Sequence, residues 1–380
     1  MARTSFSCWL ITAAACLCAG VLSAEDDSES SATTISYRQT VRPIFRKHCQ
    51  GCHQPAKPLG EFVITDVAAM FKAGESGEPA IVPGSPEKSA LLTEIIPGDD
   101  GKASMPKDRK PLSPREIRLI RLWIAEGAAD DSPASSDPRI DLQHPPSYDL
   151  PPVVTALDYS PDSKLLAVSG YHEVLLHKAD GSGLVARLVG LSERIESVSF
   201  SPDGTKLSVA GGSPGRFGEV QVWNVKKRAL LLSVQVTFDT VRGGRWSPDG
   251  THIAFGCADS SLRVIDAATG KQTLYQGAHE DWVLDAAWSR DALHLASVSR
   301  DRSLKLTEVN TQRFDDNITS ITPGSLRGGL TSVVRRPRHD HVLVGGADGI
   351  PKLFRLHRDQ ERTIGDDDNL IRKYDPLPGR

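Results

Sequence analysis

Apolar residues recur at two different spacings along this chain. Before residue 130 they follow helical spacing, as in Val41, Ile44 and Phe45, which predicts a short helix that ends near His48. From Val153 onward they alternate with polar residues in short runs, which predicts β-strands. The pattern therefore predicts an all-α segment, called here the helical segment (residues 35–129), and an all-β segment, called the strand segment (residues 151–380).

A second helix is predicted near the end of the helical segment. Ser113 is a helix cap, Pro114 suits the first helical position, and Glu116 falls where it closes a capping box. The apolar face of this helix comprises Ile117, Ile120, Trp123 and Ile124. Loops rich in proline and glycine are expected between the two helices.

A turn sequence repeats along the strand segment. Ser-Pro-Asp and its variants begin at residues 160, 201, 247, 289 and 336, at intervals of 41, 46, 42 and 47 residues. Each marker is expected to be a tight turn between two strands. Such intervals are typical of the four-stranded blades of a β-propeller. Five sets of four strands fit between Val153 and Tyr374, so about five blades and an incomplete ring are expected.

The first residues follow neither spacing. Arg3 precedes an apolar run from Phe6 to Leu22, and small residues lie before Glu25. This predicts a signal peptide at residues 1–24, cut after Ala24, with an uncleaved anchor as the alternative. We therefore expect export to the periplasm or cell envelope and no membrane span after cleavage. Residues 130–150, rich in Pro, Ser and Asp, are expected to be a linker.

Composition adds two constraints. The net charge is −3, so nothing indicates a nucleic-acid partner. Three of the six cysteines belong to the predicted signal peptide, which leaves Cys49, Cys52 and Cys257. Because Cys257 lies in an apolar run, it is predicted to be a buried, inert thiol.

The other two cysteines form the sequence Cys49-Gln50-Gly51-Cys52-His53, which is the attachment sequence of a c-type haem. Two thiols at this spacing can reach the vinyl groups on one edge of a porphyrin, and His53 then falls beneath the iron as proximal ligand. A redox dithiol would need a βαβ setting, and a zinc site would need another Cys or His pair. Neither is found, so one covalently attached haem c is expected.

The helical segment resembles the planctomycete-type cytochrome c domain over about residues 35–129. The resemblance rests on residues 41–44, 82–89, 105–106 and 122–128. That family places a Met-Pro late in the domain as sixth ligand, which implies Met105 as distal ligand of the haem iron. The alternative, Met70, has the surroundings of a core residue, and His48 is not expected to reach the iron.

The strand segment resembles WD repeats. His279, Ser297 and Asp301 match three members of the structural hydrogen-bond tetrad of that family, and Thr307 stands where tryptophan is usual. These residues are expected to be scaffold. The strand segment is expected to hold no cluster of His, Cys or carboxylates at metal spacing.

The two resemblances imply an exported monohaem c-type cytochrome that transfers electrons. Its WD-repeat propeller would act as a docking scaffold, with a protein redox partner on the propeller or at the haem edge. The alternative is a haem-dependent periplasmic oxidoreductase with its active site in or on the propeller, for which residues 266–271 offer a single quinoprotein-like turn. No catalytic residue is assigned, and an electron carrier is favoured over an enzyme.

Overall fold

The computed structural model describes residues 34–54, 57–107, 109–132, 140–150, 152–319, 328–358 and 369–376. The predicted signal peptide lies outside these residues, as does the part of the predicted linker at 133–139. No helix in the described part of the chain is long and apolar enough to cross a membrane.

The helical segment begins with the first predicted helix. A π-helix at Tyr37–Val41 leads into α1 (Arg42–His48). Pro43 lies in the first turn of α1, where a missing backbone N–H leaves no helical hydrogen bond unmade. Ile44 and Phe45 point into the core, which confirms the predicted apolar face.

The connection that follows contains more structure than predicted. It has a two-stranded ladder, two single 3₁₀ turns and two short helices, which are in chain order β1 (His53–Gln54), β2 (Lys57–Pro58), Leu59–Glu61, α2 (Val67–Met70), Pro86–Lys88 and α3 (Ala90–Ile95). The expectation of loops alone was wrong here. Elements this short do not repeat the helical spacing often enough for a sequence pattern to reveal them.

The second predicted helix, α4 (Pro114–Ala125), starts as its sequence indicates. The Ser113 side chain accepts a hydrogen bond from the Glu116 N–H, and the Glu116 carboxylate accepts one from the Ser113 N–H at 2.8 Å. The capping box is therefore confirmed. It satisfies N–H groups at the start of the helix that have no partner within it.

Three aromatic rings join α4 to the start of the segment. Trp123 stacks on Tyr37 at 5.2 Å between ring centroids and meets Phe45 edge-on at 6.0 Å. The Trp123 Nε1–H donates to the Ala129 carbonyl at 2.9 Å, so the buried indole has no unpaired polar atom. This packing fixes the end of α1, from which the cysteine motif starts.

The strand segment contains antiparallel sheets. The first sheet has seven strands in sequence order, which are β3 (Leu157–Tyr159), β4 (Leu165–Ser169), β5 (Tyr171–Lys178), β6 (Leu184–Phe200), β7 (Lys206–Ser213), β8 (Phe217–Asn224) and β9 (Ala229–Thr237). The second has four, which are β10 (Arg242–Trp246), β11 (His252–Gly256), β12 (Leu262–Asp266) and β13 (Gln272–Gln276).

Two further sheets of four strands follow. One consists of β14 (Val283–Trp288), β15 (His294–Ser299), β16 (Leu304–Glu308) and β17 (Arg313–Asn317). The other consists of β18 (Leu330–Arg335), β19 (His341–Gly346), β20 (Lys352–Arg355) and β21 (Leu370–Lys373). The sheets are typical of a propeller, and within the described residues they do not form a closed ring.

The seven-stranded sheet unites the first two predicted blades. Its central strand β6 is 17 residues long. The first half of β6 pairs with β5, with Val189 opposite Glu173, and the second half pairs with β7, with Phe200 opposite Leu207. One strand thus serves as the last strand of one blade and the first strand of the next.

The repeated turn markers are tight turns, as predicted. The Ser201 N–H donates to the Lys206 carbonyl at 2.9 Å, and the Ser201 hydroxyl accepts from the Lys206 N–H at 3.0 Å. The hydroxyls of Ser160, Ser201, Ser247 and Ser289 each donate to the aspartate two residues later. The side chains of Ser and Asp therefore satisfy backbone groups that the turn leaves unpaired.

The second half of the predicted linker is held against the first sheet. The Tyr148 hydroxyl donates to the Glu173 carboxylate at 2.8 Å, and the Arg187 guanidinium donates to the Pro146 carbonyl at 2.7 Å. Arg187 also pairs with the buried Glu173 at 2.6 Å. Residues 140–150 are thus attached to the strand segment through a shared hydrogen-bond network.

Phe255 lies in β11 and is wholly buried in the core of the strand segment. Its substitution therefore tests how much this core contributes to stability. Replacing Phe255 with Ala should lower the free energy of unfolding by about 3–5 kcal/mol, because it removes buried apolar contacts and leaves a cavity. Phe314, which is 46% exposed, is the matched control. Phe314→Ala should change the free energy of unfolding by about 0.5 kcal/mol. Denaturant unfolding measures both, and equal losses would contradict this description of the core.

Candidate functional site

A cavity of about 650 Å³ lies beside the end of α1. Its size is within the ~300–1,000 Å³ that is usual for cofactor sites. Cys49, Cys52, His53 and Met105 all line it. Four residues predicted from two separate stretches of the sequence therefore share one cavity.

The cysteine motif forms a tight turn immediately after α1. The Cys49 N–H donates to the Phe45 carbonyl at 2.8 Å, which continues the helical bonding for one more residue. The N–H groups of Cys52 and His53 both donate to the Cys49 carbonyl at 3.1 Å. This folding brings both cysteines and the histidine to the cavity.

The thiols are half-buried and not joined to each other. Burial and, to a smaller extent, the neighbouring Cys52 raise the pKa of the Cys49 thiol to about 12. At neutral pH Cys49 is therefore a protonated thiol, unlike the thiolate that a redox dithiol or a preformed metal site uses.

The imidazole of His53 has a defined tautomer. Its Nδ1 lies 2.9 Å from the Leu59 carbonyl oxygen, and a carbonyl can only accept, so Nδ1 carries the proton. In the neutral ring the lone pair is then on Nε2, which is the arrangement that a metal-binding histidine has when a carbonyl orients its other nitrogen. The Phe62 ring packs against the imidazole at 5.2 Å between centroids.

The two candidate ligands, Met70 and Met105, lie in different surroundings. Met105 is half-buried, lines the cavity, and is held by a backbone hydrogen bond of 2.8 Å from its N–H to the Glu94 carbonyl. Met70 is fully buried in the core of the helical segment and is not among the residues that line the cavity. The thioether that can reach a group bound in the cavity is therefore that of Met105.

His48 also lines the cavity, but its Nε2 lies 3.1 Å from the Glu116 carboxylate. Burial of Glu116 opposes its ionisation, yet hydrogen bonds from Ser113 and His48 outweigh this effect and lower its pKa to about 2. This contact is a polar connection between α1 and α4 that the sequence analysis did not predict.

The sequence analysis missed the strand that borders the cavity. Ser233, Val234 and Gln235 of β9 line it together with the cysteine motif. The sequence of β9 is that of an ordinary strand. It gives no sign that β9 lies beside the cysteine motif, which is almost 200 residues earlier in the chain. Only the tertiary structure reveals this contribution.

The predicted scaffold residues of the strand segment are confirmed. His279 contacts Asp301 at 2.8 Å through Nδ1 and the Ser297 hydroxyl at 2.8 Å through Nε2. Although burial raises the pKa of Asp301, hydrogen bonds from His279 and Ser303 hold it well below its ordinary value. Thr307 is buried at the position where tryptophan is usual.

Two other expectations for the strand segment have different outcomes. Cys257 is buried, and burial raises its pKa to about 12, which agrees with an inert thiol.

The expectation of no metal-type cluster was wrong, since His294, Asp315 and His357 place potential ligand atoms within 4.8 Å of one another. These residues come from three different strand regions, so sequence spacing could not reveal them. Two of them are exposed, and we assign them no function.

Comparison with known families agrees with both resemblances. Residues 49–109 match the family model described as Planctomycete cytochrome C. Residues 233–266 and 270–307 match the model described as WD domain, G-beta repeat. The chain therefore contains a cytochrome c-like segment and WD repeats.

Similar curated proteins cover only part of this chain. Coronin-7 of Mus musculus is 31% identical over 140 residues, which are 34% of this chain and 14% of that protein. Eukaryotic translation initiation factor 3 subunit I of Aspergillus terreus is 30% identical over 207 residues, or 51% of this chain and 59% of that protein. WD repeat-containing protein VIP3 of Arabidopsis thaliana is 28% identical over 175 residues, or 39% and 53%. The chain thus spans from about one seventh to three fifths of the length of these relatives.

The Glu116 carboxylate should make stability depend on pH in the acid range. Its folded pKa of about 2 lies below the ordinary 4.5, so its stabilising effect is present above pH 4.5 and is lost as the pH falls toward 2. Glu116→Gln should lower stability by about 1 kcal/mol at pH 7 and flatten this acid dependence. Thermal unfolding between pH 7 and 3 measures this pH dependence of stability. The control is Glu87→Gln, at an exposed position. Unchanged acid dependence in Glu116→Gln would refute the assignment.

Proposed function

We propose that this chain is a monohaem c-type cytochrome with electron-transfer activity, in which Cys49 and Cys52 hold haem c covalently. The observation that carries the proposal is that both thiols, the His53 imidazole and the Met105 thioether line one cavity of about 650 Å³. The match of residues 49–109 to a cytochrome family supports it. A zinc or dithiol site would not explain a cavity of this size.

When bound, a haem c supplies a one-electron ferric/ferrous couple. His53 would be the proximal ligand through Nε2, since its Nδ1–H donates to the Leu59 carbonyl. Met105 would be the distal ligand, and a thioether in this position raises the reduction potential relative to a second histidine. With both axial positions taken by side chains, the site suits electron transfer better than binding of a small substrate.

The proposal includes export and a protein partner. Attachment of haem c and the signal-like residues 1–24 both suit the periplasm or cell envelope. The WD repeats would offer a broad surface on which a redox partner docks close to the cavity. Because this chain spans only part of the length of its curated relatives, its partner is inferred from its own cytochrome-like site.

Covalent attachment predicts a simple result. Protein produced with a cytochrome c maturation system should keep its haem colour after denaturation on a gel, because thioether bonds survive unfolding. The Cys49→Ser/Cys52→Ser double variant should lose the colour completely. Cys257→Ser, which changes a buried cysteine away from the cavity, is the matched control and should remain coloured. Colour that persists in the double variant would rule out this attachment.

The distal ligand is tested with the two methionines. Met105→Ala should abolish the weak far-red absorption of a bond between methionine sulfur and ferric iron, because only Met105 lines the cavity. Met70→Ala should keep that absorption while destabilising the fold by about 2–5 kcal/mol, because Met70 is fully buried. The reverse pattern of absorption would transfer the ligand role to Met70.

Carbon monoxide binding to the ferrous protein separates the electron carrier from the oxidoreductase. The wild type should bind it poorly because Met105 takes the sixth position, and Met105→Ala should bind it readily. Rapid binding by the wild type, together with steady turnover of a small substrate, would favour the oxidoreductase instead.

A further inference from the structure

One side of the cavity belongs to the strand segment. Ser233, Val234 and Gln235 lie in the middle of β9 and line the same cavity as Cys52 and His53. The propeller is therefore in direct contact with the site that the cytochrome-like residues form. A tethered docking module would not need such a contact.

The attachment turn and β9 touch backbone to backbone. A Cβ added to Gly51, between the two cysteines, would lie 2.1 Å from the Ser233 carbonyl oxygen. No side chain fits at that distance, so glycine at this position allows the motif to lie directly on the strand. Glycine is required here by the lack of space for a side chain and not by the backbone conformation, since Gly51 is not in the left-handed region.

A second contact lies one turn before the motif. The Arg46 guanidinium carbon lies 4.6 Å from the centre of the Phe217 ring, in the geometry of a cation–π interaction. Phe217 is buried at the start of β8. The strand segment thus holds in place a charged side chain that lines the cavity.

The Arg46 guanidinium has an unpaired donor atom in the described part of the chain. Its Nη2 is buried and has no hydrogen-bond partner among the described residues. Burial lowers its pKa, and the cations Arg42 and Arg216 lower it further. The acidic neighbour Glu193 is shared with Arg216, which it meets at 3.4 Å. A buried donor without a partner is unfavourable, so this position suits an anion.

The other cations that line the cavity are less suited to this role. Lys47, Lys107 and Arg109 are exposed, and water therefore screens their charges. Arg46 also offers a planar fork of donors that matches a carboxylate in a bidentate way. A haem carries propionate carboxylates at one edge, which are anions of the required chemistry.

We propose that the propeller is part of the haem site: β9 forms one wall of the cavity, and Arg46, held against Phe217, binds a haem propionate. This inference rests on the proposed function. A cation beside the haem favours the ferrous form, because reduction removes one positive charge from the iron. The strand segment would therefore help to set the reduction potential by fixing Arg46, in addition to any role in docking.

The potential of haem-loaded, full-length protein tests the role of Arg46. Arg46→Gln should raise the ratio of ferric to ferrous protein at a fixed solution potential about tenfold, which equals a fall of ~59 mV in midpoint potential. Arg121→Gln, the same charge change at an exposed position of α4, should leave the potential unchanged. Arg46→Lys and Phe217→Leu should give smaller shifts in the same direction, since each keeps a positive charge near the propionate but loosens its geometry.

Amide hydrogen exchange tests whether β9 forms one wall of the cavity. Gly51→Ala in the haem-loaded protein should speed amide exchange in residues 233–237, because the added methyl group displaces the motif from β9. The control is Gly98→Ala, where the added carbon meets nothing closer than 3.6 Å. Exchange in residues 233–237 should be the same in that variant as in the wild type.

The outcomes separate the two proposals. A colourless wild type after maturation would refute the haem function and this inference with it. A coloured wild type whose potential is the same in Arg46→Gln and Arg121→Gln would overturn only the role of Arg46. Unchanged exchange of residues 233–237 in coloured Gly51→Ala would overturn only the role of β9.

Discussion

The packing of α1 against α4 determines where the cysteine motif lies. Phe45, near the end of α1, meets Trp123 of α4 at 6.0 Å, and His48 at the end of the same helix bonds to Glu116 at 3.1 Å. One contact is apolar and buried, and the other is polar and partly exposed. Together they leave α1 little freedom to slide or rotate, so the turn that follows presents both thiols to the cavity.

The first sheet forms another boundary of the cavity. Its long strand β6 joins two blades, so β8 and β9 belong to a continuous sheet of seven strands. β9 is the edge strand of this sheet, and its backbone pairs with β8 from Ala229 to Thr237, which makes it a firmer wall than a loop would be. The buried Glu219 at the centre of β8 adds a side-chain network, since hydroxyls of Ser192 and Ser233 both donate to it.

The relation between the two segments therefore differs from that of a carrier on a flexible tether. Residues 140–150 bond to the first sheet through Tyr148 and Pro146, and the motif itself touches β9 at Gly51. Contacts at both places limit how far the cavity can move from the strands. Under the proposed function, a redox partner that docks on the strand segment would meet the cavity in a defined geometry, which would favour fast electron transfer by orienting the two proteins beforehand.

The sequence by itself determined three features that depend on neighbouring residues. The capping box at Ser113, the serine and aspartate turns and the Cys-x-x-Cys-His spacing are local, because their partners lie within about five residues of each other. The tertiary structure alone decided the features whose partners are distant in the chain. Glu116 beside His48, Ser233 beside Gly51 and Phe217 beneath Arg46 bring together residues separated by many tens of positions. No local period encodes such pairs, because they arise only when the helices and sheets bury their apolar faces against one another.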